Sequence, residues 1–95
     1  MSSIIDLQSY SPKTPQANCM RVQIDNLILY FSYNTIVAFD YKSKRHVRQN
    51  EGGVTTGKHL NWIDGGSSAA KSQRLDSESF EKELNLALGD VYGNR

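Results

Sequence analysis

From Met20 onward apolar and polar positions alternate. Met20, Val22 and Ile24 fall on one side and Arg21 and Gln23 on the other, the two-residue period of a half-buried strand. Asp25-Asn26 is a candidate two-residue turn, and Leu27 to Tyr33, rich in branched and aromatic residues, is a second strand. Asn34-Thr35 turns the chain again into a third strand, Ile36 to Tyr41, and Ser43-Lys44 leads to a polar fourth strand around Arg45 to Gln49. Connections this short predict an antiparallel meander of about four strands over residues 20–49. Beyond Gly52-Gly53 the period changes. Thr55 or Thr56 caps a short helix near 56–63 with Leu60 and Ile63 on its apolar side, and Asp64-Gly-Gly-Ser-Ser ends it. Asp76 or Ser77 caps a second helix to about Leu88, where Phe80, Leu84 and Leu88 recur at fourfold spacing and Gly89 supplies a stop. The expected fold class is α+β: a meander packed by a C-terminal helix.

With 95 residues there is room for one small domain. Residues 1–18, which hold both prolines and no periodic core face, read as an N-terminal arm packed locally through Ile4, Ile5 and Leu7. Residues 19–90 form the domain, and 91–95 a tail. Eleven basic residues against ten acidic ones leave a net charge of +1, which argues against partners recruited by bulk charge. The longest mostly apolar run, Leu27 to Phe31, is far short of the roughly 20 residues of a membrane span, and the N-terminus lacks a secretory pattern. A lone Cys19 excludes a disulfide framework, so the expected setting is a reducing cytoplasm. Two histidines and one cysteine without ligand spacing predict no metal site and no cofactor.

If the turns hold, side chains sort by parity. One face collects Val22, Ile24, Leu27, Leu29, Phe31, Tyr33, Ile36, Ala38 and Val47, the core face awaiting the Phe80 stripe, with Asp40 as its misfit. The other collects Arg21, Gln23, Ile28, Tyr30, Ser32, Val37, Phe39, Tyr41, His46 and Arg48, three aromatics bordered by two arginines and a histidine. A contiguous aromatic patch on a sheet face marks contact with something. Tyr, Phe and Arg suit a homo-oligomer or host-protein interface. They equally suit stacking of unpaired bases with arginines on phosphates. In the third reading the short helix with Trp62, or the arm, folds across this face as a second core layer.

Gly52-Gly-Val-Thr-Thr-Gly57-Lys58-His59 nearly matches a phosphate loop, but His59 stands where the magnesium-binding hydroxyl belongs and no parallel sheet surrounds it. What survives is an anion site: Thr55, Thr56, Gly57 and Lys58 at a helix start offer backbone donors and an ammonium. His46 reads as a rim residue and His59 as a polar residue on the helix face. No acid–base constellation stands out, so no catalytic residues are assigned and an enzyme is not expected.

The order Tyr30-Phe-Ser-Tyr33…Val37-Ala-Phe39, then Thr56-Gly-Lys-His-Leu60, then the acidic Ser77-Glu-Ser-Phe-Glu81 helix resembles a domain of unknown function in small bacteriophage and bacterial proteins, over about residues 20–88. The resemblance implies a phage or bacterial source, a host-cytoplasm setting and a compact strand-rich fold, and it transfers no catalytic residues. The expected function is binding: protein contact or self-association through the aromatic face, acting on a host or defence component. The alternative is single-stranded nucleic acid or nucleotide binding through the Tyr/Arg face and the helix start.

Overall fold

The computed structural model describes residues 5–12, 14, 16 and 18–92. Ile4, Pro15 and residues 93–95 of the expected arm and tail lie outside the described residues. Five strands form one antiparallel sheet in chain order: β1 (Ile5–Ser9), β2 (Met20–Ile24), β3 (Leu27–Ser32), β4 (Thr35–Tyr41) and β5 (Lys44–Val47). Three helices follow, α1 (Val54–Asp64), α2 (Ser68–Ser72) and α3 (Ser77–Tyr92). The meander is therefore one strand larger than the alternation of residues 20–49 predicts. The fifth strand comes from the arm, where β1 pairs with β2 from Ile5↔Ile24 to Ser9↔Met20. An edge strand needs only a hydrogen-bonding neighbour and one loosely covered side, so it carries a weak periodic signal.

The turns decide the register. Asp25-Asn26 turns as expected, but the next two turns sit one residue earlier than predicted, at Tyr33-Asn34 and Lys42-Ser43. Asp25, Tyr33, Lys42 and Ser43 all take positive φ, between 51° and 64°. At Lys42-Ser43 both turn residues do so, which matches the right-handed twist of the flanking strands. A β-bulge then interrupts the β3–β4 ladder: Tyr30 faces Ala38 while Phe31 faces Ile36, leaving Val37 extra.

That extra residue reverses the predicted parity of everything after it. Val37 and Ala38 are both buried on the Tyr30 side, whereas Phe39 and Tyr41 pack with Leu27, Leu29, Phe31 and Ile36 on the other. Across the β4–β5 ladder His46 follows Phe39, while Val47 follows Ala38 and Arg45 follows Asp40. Asp40, the misfit of the predicted core face, thus leaves it for the side where Tyr30 and Arg45 bind it. The expected aromatic patch does not form, because Tyr30 and Phe39 are 6% and 1% exposed on opposite faces.

Both faces are covered. The α3 stripe of Phe80, Leu84 and Ala87 seals the Phe39 side. Each large apolar side chain so buried contributes roughly 1.5–3 kcal/mol. Asp76 caps α3 by accepting the Ser79 amide at 2.8 Å, and the helix runs through Gly89, the predicted stop, to Tyr92. The Tyr30 side is covered by α1 through Leu60 and Ile63, the second core layer of the third reading. Tyr10 adds to this layer from the arm, donating to the Phe31 carbonyl at 2.9 Å. α1 ends where Gly65 turns left-handed and bonds the Asn61 carbonyl. The buried Arg74 then clasps Asp64 with two hydrogen bonds, of 2.8 and 2.9 Å, tying the end of α1 to the chain after α2. Among the described residues no helix is long and apolar enough to cross a membrane.

Candidate functional site

Two of the three segments that carry the sequence resemblance meet at one place, the end of β3 against the first two turns of α1. Thr56, His59, Leu60 and Ile63 recur at helical spacing, so one inner stripe of α1 holds two polar and two apolar side chains. Ser32 ends β3 on the same side of the sheet as Tyr30, with its hydroxyl 2.7 Å from His59 Nδ1 and 3.2 Å from Thr56 Oγ1. Ser32 and His59 are almost completely buried. Tyr10, Tyr33 and Trp62 surround the imidazole, with ring centroids 6.1, 5.8 and 5.4 Å away. Burial among these rings pushes the His59 pKa below its ordinary value, so the ring is neutral at pH 7. Burial likewise raises the Tyr10 phenol.

Above this cluster opens a pocket of about 210 Å³, lined by Ser32, Tyr33, Thr35, Val37, Arg48, Gln49, Glu51, Gly52 and Thr56. Gly52 lets the chain pass close to α1: a Cβ there would lie 2.8 Å from Thr56 Oγ1. Arg48 lies over the Phe80 ring at 5.6 Å, and its Nη2 donates to Ser77 Oγ at 2.6 Å and Glu51 at 3.3 Å. These contacts hold the guanidinium in place. Its Nε and Nη1 groups make no hydrogen bond among the described residues. Ser77 also donates to Glu51 at 2.5 Å, so the carboxylate at the pocket is engaged twice.

α1 begins two to three residues earlier than Thr55 or Thr56 capping requires. Its N-cap is Gly53, which supplies no side-chain hydrogen bond, and its first turn holds no acidic residue. The amides of Val54, Thr55 and Thr56 therefore have neither an intrahelical acceptor nor a capping side chain. Thr56 instead turns its hydroxyl to Ser32 and lines the pocket, Gly57 sits inside the first turns, and Lys58 is exposed.

The remaining predicted site residues are dispersed. Tyr30 donates to Asp40 at 2.8 Å beneath α1, and Arg45 grips the same carboxylate at 2.7 and 2.9 Å while donating to the Ile63 carbonyl. Burial opposes ionisation of Asp40, but the hydrogen bonds from Arg45 and Tyr30 outweigh it and hold the carboxyl below its usual range. Arg21 shares that side of the sheet and donates to Gln8 at 3.3 Å. Phe39, Tyr41 and His46 come together on the α3 side, in a groove of about 550 Å³. There His46 stacks on Phe39 at 4.5 Å, with its Nε2 4.0 Å from Glu83, and Tyr41 donates to Asp90. No group of three His, Cys, Asp or Glu among the described residues is placed to hold a metal.

Parity puts Ser32 on the Tyr30 side, where the structure has it, but names no partner for it. Ser32 looks like one more polar strand residue, and His59 reads as an outward polar group unless Thr56, Leu60 and Ile63 are taken as its stripe. No curated protein and no solved structure matches the chain. Residues 5–82 match DUF8033, a family of unknown function, and the chain belongs to it.

Proposed function

We propose that this protein works by binding, and that its ligand is anionic and phosphate-bearing, held in the pocket between the β3–β4 turn and the first turn of α1. The observation that carries this reading is the donor set. The pocket is lined by the Ser32 and Thr56 hydroxyls and by a fixed Arg48 guanidinium with the Glu51 carboxylate it holds, and Thr56 belongs to the uncapped first turn of α1. A helix start favours negative charge through its free N–H groups and its dipole. Arginine adds a fork suited to phosphate oxygens. We take the ligand to be one met in a bacterial cytoplasm, the setting implied by the resemblance to phage and bacterial proteins. Contact through the aromatic sheet face loses its support, since Tyr30 and Phe39 are buried on opposite sides.

The test is an amide-shift titration with inorganic phosphate. Saturable shifts should centre on Val54, Thr55 and Thr56, and Arg48→Gln should weaken them severalfold. Shifts that do not saturate, or that scatter over the surface lysines, would remove the reading.

A further inference from the structure

Two large aromatic side chains stand exposed around the His59 ring, Tyr33 at 55% and Trp62 at 36%. Both pack against the same buried ring, with centroids 5.8 and 5.4 Å from that of His59. Tyr33 also lines the pocket. Its backbone is left-handed, at φ 56°, a conformation that Asn or Gly adopts at lower cost. A large aromatic residue displayed from such a turn points to a contact role for the ring.

The charge around these rings has one sign left over. The neighbouring acids are already engaged: Asp40 by Arg45, Asp64 by Arg74 and Glu51 by Arg48. Lys58 is exposed and makes no ion pair among the described residues, and helical spacing places it between Val54 and Trp62 on the outer side of α1. Exposed aromatic rings with an unpaired lysine on the same helix complement a polyanion with accessible flat groups.

We infer that the ligand is a single-stranded nucleic acid. One backbone phosphate occupies the pocket at the start of α1, and neighbouring bases stack on Tyr33 and Trp62. This rests on the pocket being a phosphate site. A duplex keeps its bases stacked inside and offers nothing to these rings.

The test uses the full chain and a fluorescein-labelled oligothymidylate of about eight nucleotides, within the usual site size of such binders. Anisotropy is read over a salt series, alongside the inorganic phosphate titration. The oligonucleotide should bind more tightly than inorganic phosphate, with affinity falling as salt rises. Trp62→Ala and Tyr33→Asn should each weaken it roughly 5- to 150-fold. Trp62→Ala, which lies outside the pocket lining, should retain the phosphate shifts at Thr56, and both variants should keep an unchanged circular dichroism spectrum. If phosphate shifts Thr56 but the oligonucleotide binds no tighter, or both variants bind it like wild type, the nucleic-acid inference falls and the phosphate pocket stands. Equal competition by a duplex also overturns the inference. If phosphate leaves Thr56 unmoved, the pocket reading fails and the inference goes with it. Self-association lost in Trp62→Ala, without oligonucleotide binding, would assign the rings to a second copy of the chain instead.

Discussion

The Ser32 hydroxyl lies 2.7 Å from Nδ1 of His59, joining the last residue of β3 to the second turn of α1 across 27 positions of sequence. Each group is the other's compensation for leaving water, because a buried polar atom without a partner costs more than a typical hydrogen bond contributes. Thr56 extends the pair toward the pocket. The candidate site is therefore built on a buried polar contact between sheet and helix.

Removing one partner should expose that dependence. Ser32→Ala strands the His59 ring nitrogen, and the expected loss is about 1–3 kcal/mol of unfolding free energy. Urea denaturation checks it; a change within error would mean that the imidazole finds another partner at no cost.

The same imidazole predicts a pH dependence. His59 is held neutral in the fold by burial, below its ordinary value of 6.5. The unfolded chain therefore binds a proton that the folded chain refuses. This contribution is complete above pH 6.5 and is lost as the pH falls from there through the lower folded value. Asp40 and Asp64, also held low, add a separate loss only below their ordinary 3.8. Melting curves from about pH 8 down to about pH 5 should show the first decline in wild type and a flatter profile in His59→Gln.

The Arg74–Asp64 pair lies largely out of water and anchors the end of α1. Truncating the arginine leaves a buried carboxylate without its cation. Arg74→Ala is expected to cost about 3–5 kcal/mol. Replacing both residues with apolar ones of similar volume should cost much less, and the two denaturation curves separate these cases.

Gly89 lies inside α3, and apart from its chain neighbours and the helix's own backbone nothing stands within 4 Å of where a Cβ would be. Gly89→Ala should stabilise the protein by roughly 0.5–1 kcal/mol, through reduced backbone freedom in the unfolded chain. A rise in the denaturation midpoint with unchanged slope is the expected reading.

Tyr33 should show stability and function pulling apart. Tyr33→Asn relieves a left-handed tyrosine and should raise stability by up to about 1 kcal/mol, less what the ring contact with His59 contributes. The same change removes an aromatic ring from the pocket mouth. A variant that melts higher and binds oligonucleotide more weakly is the expected combination.

Much of this architecture was legible in the chain itself. Period-two alternation from Met20 to Ile24, the Asp25-Asn26 turn and the Phe80, Leu84 stripe sort residues by strand and helix, because local periodicity is written in consecutive side chains. It also separated Tyr30 from Phe31, and the structure keeps them on opposite sides of the sheet. Past Val37 periodicity alone could not hold, since one bulged residue inverts every later side chain and leaves no local signature among β-branched and aromatic neighbours. Only the tertiary structure decided that α1 covers the Tyr30 face, that Arg45 neutralises Asp40, and that Ser32 meets His59. Those outcomes depend on which buried polar groups find partners across distant segments, and such pairing is a property of the packed chain.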